Sequence, residues 1–196
     1  MAEQKRLFLL DAYALIFRGY YAFINNPIVN SKGQDTSAIM GFMNSLFDVI
    51  RRERPDHLAV CFDKEGSVAR TELFEAYKAH RDATPEPILQ AIPFIQDILT
   101  AMHIPVVVLP GCEADDIIGT IASDLKRDKE TEVVIASGDM DTLQLVDGKR
   151  VQVYTLKKGI QDTILYDEKA VIDRFGFPPK LLPDFKGLRG DPSDNI

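Results

Sequence analysis

Residues 133–141 read VVIASGDMD, an unbroken apolar run that ends in Ser-Gly and then two aspartates separated by a methionine. The run does not alternate between apolar and polar residues, which is typical of a strand covered on both faces of a sheet. Four other runs have the same character, at residues 7–10, 58–62, 106–109 and 151–154. The sequence therefore predicts five buried strands.

Helical patterns lie in the intervals between these strands. Residues 36–52 carry apolar side chains three and four positions apart, and residues 88–102 and 114–125 repeat this spacing. Shorter helices are predicted at residues 167–174 and 180–186. Strands that alternate with helices predict an α/β fold, with a mostly parallel central sheet flanked by helices. A length of 196 residues suits a single domain, residues 1–196.

One segment interrupts this alternation. Residues 64–87 read KEGSVARTELFEAYKAHRDATPEP, which is charged, weakly apolar and ends in two prolines. The segment is too long for a plain connection and too polar for a core helix, so we expect a mobile or functional element there.

The composition excludes several classes of protein. Two cysteines cannot form a disulfide framework, which favours a reducing, cytoplasmic compartment. No run of about 18 apolar residues is present, so no membrane span is expected. The net charge of −7 argues against a binder of duplex nucleic acid, unless the acidic residues are gathered and neutralised.

The acidic residues are concentrated where the predicted strands end. Asp11 follows the first strand and Asp63 the second, while the third runs through a Pro-Gly turn to Glu113. In an open α/β sheet the carboxyl edge of the strands is where ligands bind. We therefore expect nine carboxylates at this edge, those of Asp11, Asp63, Glu113, Asp115, Asp116, Asp139, Asp141, Asp191 and Asp194.

Each of these acids taken alone is explained by capping a helix or a turn. Glu113, Asp115 and Asp116 would also complement the dipole of the helix they precede. Nine carboxylates together would repel one another, so hard divalent cations are the expected compensation. Mg²⁺ prefers carboxylate oxygens and Mn²⁺ accepts the same ligands, and two such ions about 3.5–4 Å apart would promote hydrolysis of a phosphodiester.

Five motifs in order resemble those of the 5′-nuclease superfamily. They are FLLDAYALIFRGYYAF at 8–23, CFDKEGSVAR at 61–70, GCEADDIIGTIA at 111–122, SGDMDTLQL at 137–145 and GLRGDPSDNI at 187–196. Within the superfamily the sequence is most similar to the N-terminal 5′→3′ exonuclease domain of bacterial DNA polymerase I. The resemblance covers nearly the whole chain and implies a PIN-like α/β core with a helical arch over the active site.

The resemblance also implies roles for individual acids. Two ions, Mg²⁺ or Mn²⁺, are expected, and Asp63, Asp115 and Asp139 are expected to act directly in catalysis. The residues implied around the first ion are Asp11, Asp63, Glu113, Asp115 and Asp116. Those implied around the second are Asp139, Asp141, Asp191 and Asp194.

By the same resemblance, residues 64–87 form the arch and place Tyr77, Lys78 and Arg81 near the scissile phosphate, with Arg70 contributing. Lys78 and Arg81 are three positions apart, so we expect them to share one helix face and to act in catalysis. After Asp11, a cation is interleaved with aromatics, as on surfaces that stack single-stranded bases, although packing in the core also explains aromatics on an apolar helix; the residues are Arg18, Tyr20, Tyr21 and Phe23, of which Arg18 and Tyr20 enter the candidate site. These basic and aromatic residues are the candidate DNA-binding set.

The implied activity is metal-dependent hydrolysis of DNA at a 5′ flap or nick, and of RNA primers paired with DNA, in replication and repair. The implied partner is a polymerase domain of the same chain, in a monomeric, nucleoid-associated bacterial protein. The family pattern continues beyond SDNI into a helix–hairpin–helix element, so the chain is expected to stop before that duplex anchor. The alternatives left open are a stand-alone PIN-type ribonuclease, a phosphatase-like hydrolase, and a catalytically weak fragment that binds metal or nucleic acid.

Overall fold

The computed structural model describes residues 4–64, 68–128, 130–158 and 162–195. A six-stranded sheet forms its centre, in the order β3-β2-β1-β4-β5-β6. The first five strands are parallel, and the sixth is antiparallel to β5. The strands are β1 (Lys5–Asp11), β2 (His57–Phe62), β3 (Val106–Val108), β4 (Thr131–Ala136), β5 (Val151–Lys158) and β6 (Asp162–Tyr166). The predicted α/β fold and all five predicted strands are confirmed.

In the described ranges, seven α-helices connect and follow the strands. They are α1 (Ala12–Ala22), α2 (Ser37–Glu53), α3 (Val68–Leu73), α4 (Glu86–Ala101), α5 (Ala114–Asp124), α6 (Glu168–Phe175) and α7 (Leu182–Arg189). Short 3₁₀ turns lie at Leu125–Arg127, Met140–Leu145 and Pro179–Leu181. In the described part of the chain, no helix is both long enough and apolar enough to cross a membrane.

Both faces of the sheet are covered, as the unbroken apolar runs predict. One buried cluster includes Phe8 and Leu10 of β1 and packs against α1, α2 and α4. The other includes Leu9 of the same strand and Cys61 of β2, and packs against α5. Alternate side chains of β1 therefore enter opposite layers. Because β1 is parallel to β2 and β4, it ends at the same edge of the sheet as they do.

A glycine contact sets the position of α1 against α2. A Cβ atom built on Gly41 would lie 2.2 Å from the Cα atom of Gly19, which is closer than any side chain tolerates. The two helix backbones therefore touch here without intervening side chains. Because α1 begins directly after Asp11, this contact also fixes the direction in which the chain leaves that residue.

The segment predicted as an arch, residues 64–87, is only partly helical. Residues 65–67 lie outside the described range; α3 then ends at Leu73, and residues 75–80 form turns. Lys78 has a φ of +56°, in the left-handed region. The prediction that Lys78 and Arg81 share one helix face is therefore wrong, because a left-handed residue interrupts the helical path between Leu73 and Arg81.

Candidate metal centre and nucleic-acid cleft

A cleft of about 730 Å³ opens at the carboxyl edge of the parallel strands. Basic and polar residues of the arch segment form one wall, including Lys78, His80 and Arg81. The aromatic side chains of Tyr13, Phe17 and Tyr21 line another part. Asp82 of the arch segment also lines the cleft. The five lining carboxylates outside that segment form the floor and are called the first cluster below: Asp11, Asp63, Glu113, Asp115 and Asp139.

Two members of the first cluster are held by hydrogen bonds at helix N-termini. Asp11 Oδ1 accepts a hydrogen bond from the Ala14 N–H at 3.0 Å, and Oδ2 accepts one from Ser137 Oγ at 2.8 Å. Asp63 accepts a hydrogen bond from the Ala114 N–H at the start of α5. The local capping interpretation of Asp11 is thus correct, and the same bonds orient its carboxylate at the cleft.

Glu113 and Asp116 interact at the start of α5. They form a capping box, in which the Glu113 N–H donates to Asp116 Oδ2 at 3.1 Å. Arg70 of α3 donates to Glu113 at 2.7 Å and to Asp116 at 2.6 Å. Lys78 donates to both oxygens of Glu113 at 2.9 Å, and the Tyr77 hydroxyl donates to the same carboxylate at 3.3 Å. Asp116 contacts Arg70 and the Glu113 backbone, and its expected place around the first ion stays a prediction.

The first cluster is electrostatically strained. Burial raises the pKa of Asp11 to about 6, and repulsion from Asp63 and Asp139 adds to this. Burial also raises the pKa of Asp115 to about 6, helped by Glu113 and Asp116. Carboxyl groups with raised pKa values gain most from a nearby cation, so this donor set fits a hard divalent ion.

A second cluster lies beside the first and consists of Asp141, Asp191 and Asp194. One carboxylate oxygen from each lies within 4.8 Å of the others, a spacing that one hard ion with ligands at about 2.0–2.6 Å spans. The Lys186 ammonium of α7 donates to Asp141, and to Asp191 Oδ2 at 2.7 Å. The hydrogen bond from Lys186 holds the pKa of Asp191 down, at about 2.

Asp139 lines the cleft with the first cluster and is also coupled to the second, since burial raises its pKa and repulsion from Asp141 and Asp194 adds to this. Its side chain lines the cleft, and it raises the pKa of Asp11. Its Oδ1 atom accepts from the Asp141 N–H at 2.8 Å, so the two clusters are joined through one short turn. The division expected from the resemblance, with Asp139 among the residues of the second ion, stays a prediction.

The arch segment is fastened to the C-terminal turn that carries the second cluster. The Lys78 N–H donates to the Asp194 carbonyl at 3.0 Å, and the Asn195 side chain donates to the Ala76 carbonyl at 2.9 Å. Arg81 donates to Asp194 Oδ1 at 2.7 Å and to the Ser193 carbonyl at 3.2 Å. Lys78 and Arg81 therefore contact different acidic clusters, joined by this bridge across the cleft mouth.

The structure does not bring Arg18 and Tyr20 into the cleft. Tyr20 is half-buried against the core cluster of α1 and α2, and Arg18 lines a small pocket beside Asp48. The aromatic residues that do line the cleft, Tyr13, Phe17 and Tyr21, are four positions apart along α1. That spacing marks one face of a helix. Tyr21 was among the aromatics predicted to stack bases, whereas Tyr13 and Phe17 were not. Lys186 was also missed, since nothing in its local sequence points to the second cluster.

Comparison with known proteins gives consistent results. A family model described as "5′-3′ exonuclease, N-terminal resolvase-like domain" matches residues 6–176. The chain is 39% identical over 197 residues to the DNA polymerase I of Bacillus subtilis (strain 168), an alignment that covers all of this chain and 22% of that protein. It is 36% identical over 192 residues to the 5′-3′ exonuclease of Aquifex aeolicus (strain VF5), with 98% of this chain and 64% of that one covered.

A solved structure matches the fold. The bacteriophage T5 D15 flap endonuclease, crystallised in a complex with DNA and metal ions, superposes with a TM-score of 0.73 at 20% identity. The match covers 98% of this chain and 69% of that one. The chain thus spans about a fifth of the length of the polymerases that it matches, and under two thirds of the Aquifex protein.

Proposed function

The chain belongs to the 5′-3′ exonuclease family, through its N-terminal resolvase-like domain, and on that premise we propose that it is the metal-dependent catalytic core of a structure-specific 5′ nuclease. The observation that carries the proposal is the cleft, where five carboxylates form the floor and cationic side chains of the arch segment form a wall. Such a cleft fits a nucleic acid. Its phosphates would meet the cationic side chains, and divalent ions held by the carboxylates would contact the scissile bond.

The proposal places two divalent ions, Mg²⁺ or Mn²⁺, on the two clusters. The first cluster would hold one ion, and Asp141, Asp191 and Asp194 would hold the other, with Asp139 between them. Divalent ions in such sites polarise a phosphodiester and lower the pKa of bound water. Asp63, Asp115 and Asp139 are the carboxylates proposed to act closest to the reacting phosphate.

The chain's own cations and aromatics would position the strand. Lys78 and Arg81 are proposed to leave their carboxylate partners for the phosphate oxygens, where positive charge stabilises the transition state. Arg70 and Tyr77 contact the same Glu113 and would hold the arch segment over the floor. Tyr13, Phe17 and Tyr21 offer a face on which unpaired bases stack.

The proposed substrates are DNA with a 5′ flap or a nick, and RNA primers paired with DNA. The wall of aromatics and cations supports a single-stranded 5′ end in the cleft. We also propose that the domain works as a monomer at the bacterial nucleoid, in one polypeptide with a polymerase domain. The relatives named DNA polymerase I, which match this chain over about a fifth of their length, support that last point.

Cleavage of a labelled 5′-flap duplex tests the proposal. We expect Mg²⁺-dependent product that disappears with chelator and in Asp139→Asn. The matched control is Asp173→Asn, which removes one negative charge from the exposed face of α6. Full activity in the presence of chelator would refute the proposal.

Two further readouts separate the alternatives. Preference for single-stranded RNA over the flap duplex would favour a PIN-type ribonuclease. Metal binding without turnover on any substrate would favour a fragment that only binds.

A further inference from the structure

Lys186 holds two of the three carboxylates of the second cluster. Its ammonium donates to Asp141, and to Asp191 Oδ2 at 2.7 Å. Asp194 completes the set, with one oxygen of each carboxylate within 4.8 Å of the others. The ammonium therefore contacts two of the three carboxylates that an ion at this cluster would bind.

An ion and this ammonium cannot occupy the cluster together. Hard divalent ions sit about 2.0–2.6 Å from carboxylate oxygens and an ammonium nitrogen about 2.7–3.2 Å, so two cations on the same carboxylates would lie in one small volume. Two cations so close would repel strongly, because little water separates them. One cation must leave when the other binds.

The backbone of Lys186 is anchored independently of the cluster. Its neighbour Phe185 packs against Phe177, with ring centroids 5.2 Å apart, and Leu182 of the same helix is buried. The Lys186 side chain itself is 35% exposed, so it has an open side toward solvent. A change of side-chain rotamer is enough to withdraw the ammonium, without any movement of α7.

We propose that Lys186 is a resident countercation of the second cluster, which a divalent ion must displace in order to bind. The proposal rests on the function proposed above, since it assumes that the cluster takes such an ion. Lys186 then acts through Asp141 and Asp191 as a positioning residue. It keeps these carboxylates together before the ion arrives, and it lowers the apparent affinity for the ion by competition.

Calorimetric titration with Mn²⁺ tests this exchange. The titration uses the full chain carrying Asp115→Asn, which weakens the first cluster so that the heat reports the second. Adding Lys186→Gln should tighten Mn²⁺ binding by roughly three- to thirty-fold, the range expected for losing two partly exposed ion pairs. Lys180→Gln is the matched control, since it removes the same charge from an exposed site one element earlier and should change nothing.

Equal or weaker Mn²⁺ binding in Lys186→Gln overturns the inference, since a merely structural lysine would loosen the cluster when removed. If that variant does not fold, the ¹⁵N signal of the Lys186 ammonium in the unmodified protein decides. The ammonium protons of Lys186 should exchange slowly with solvent in the presence of chelator, and should exchange rapidly at saturating Mg²⁺. An unchanged signal would overturn the inference.

The two proposals fail in different ways. Flap cleavage by the unmodified protein, together with unchanged Mn²⁺ affinity in Lys186→Gln, would remove this inference and leave the proposed function standing. No Mn²⁺ binding by the unmodified protein would overturn both.

Discussion

The Lys78 ammonium lies 2.9 Å from each carboxylate oxygen of Glu113, a residue that is only 8% exposed. Lys78 reaches it from a left-handed turn, whose backbone N–H is bonded to the carbonyl of Asp194. The arch segment thus delivers a cation to the first cluster while it is tied to the loop of the second. This arrangement gives Lys78 a place over the cleft before any substrate is bound.

Lys78→Ala should lower single-turnover cleavage of a 5′-flap duplex on the order of 10²–10³-fold, the loss typical when one preorganised transition-state donor is removed. Arg70 remains paired with Glu113, so we expect little change in thermal stability. Lys149→Ala is the control, because Lys149 is exposed in the turn before β5, at the opposite edge of the sheet. A loss below threefold for Lys78→Ala would contradict the proposed role.

The pH dependence of stability follows from Asp11. Burial raises the pKa of its carboxyl from 3.8 to about 6, so the folded state binds the proton more tightly than the unfolded state does. Between these pH values the folded protein carries the extra proton, and stability falls as the pH rises. Above pH 6 the metal-free fold bears the whole cost of a buried charge, roughly 3 kcal/mol by the size of the shift.

Asp11→Asn should therefore stabilise the metal-free protein at pH 8, by roughly 1–3 kcal/mol once some weakening of the cap is allowed for. At pH 4 the gain should vanish, because Asp11 is then neutral in the folded protein. Urea unfolding in chelator at both pH values measures the difference. The same variant should lose flap cleavage. Equal unfolding midpoints for the variant and the unmodified protein at pH 8 would contradict the prediction.

Two neighbouring tyrosines of α1 differ in their position relative to the cleft. Tyr21 is 54% exposed and lines the cleft, whereas Tyr20 is half-buried against the core. Tyr21→Ala should weaken binding of a single-stranded 5′ end by about 1–3 kcal/mol, the contribution of one stacked base. Tyr20→Ala should instead lower the unfolding midpoint and leave affinity nearly unchanged. Fluorescence anisotropy measures the DNA affinity of both variants, and thermal melts measure their stability. If Tyr20→Ala weakened binding and Tyr21→Ala did not, Tyr20 rather than Tyr21 would contact the bases.

The sequence predicts the central sheet and the gathering of acids for the same physical reason. Parallel strands buried on both faces must be apolar throughout, so the sequence shows where each one stops. The carboxyl ends of all these strands lie at one edge of the sheet. Asp11, Asp63 and Glu113 could be placed together on that basis alone. The edge strand β6 was missed because its DTILY sequence is short and mixed, and its Leu165 is exposed.

Contacts between distant parts of the chain are what the sequence could not supply. Lys78 adopts a left-handed conformation while its N–H is bonded to Asp194, and neither fact is visible in YKAHR. Lys186 reaches Asp141 across 45 positions. The hydrogen bond that joins Asp139 to Asp141 likewise depends on the path of one short turn after β4.

The last prediction concerns the glycine contact that directs α1. A Cβ atom at Gly41 would lie 2.2 Å from Gly19 Cα and 2.7 Å from its carbonyl carbon, and both are backbone atoms that no rotamer change can move. Gly41→Ala should therefore separate α1 from α2 and cost about 3 kcal/mol or more, at the upper end for overpacked cores. Since α1 starts directly after Asp11, flap cleavage should fall as well.

Gly119→Ala is the matched control for this change. Gly119 also lies inside a helix, α5, but a Cβ atom there would meet only the Leu145 side chain, at 3.5 Å. Alanine has the higher helix propensity, so this variant should gain up to about 1 kcal/mol in the free energy of unfolding. Chemical denaturation of both variants measures the contrast. If Gly41→Ala were as stable as Gly119→Ala, close backbone contact could not be what positions α1 and, with it, the carboxylate of Asp11.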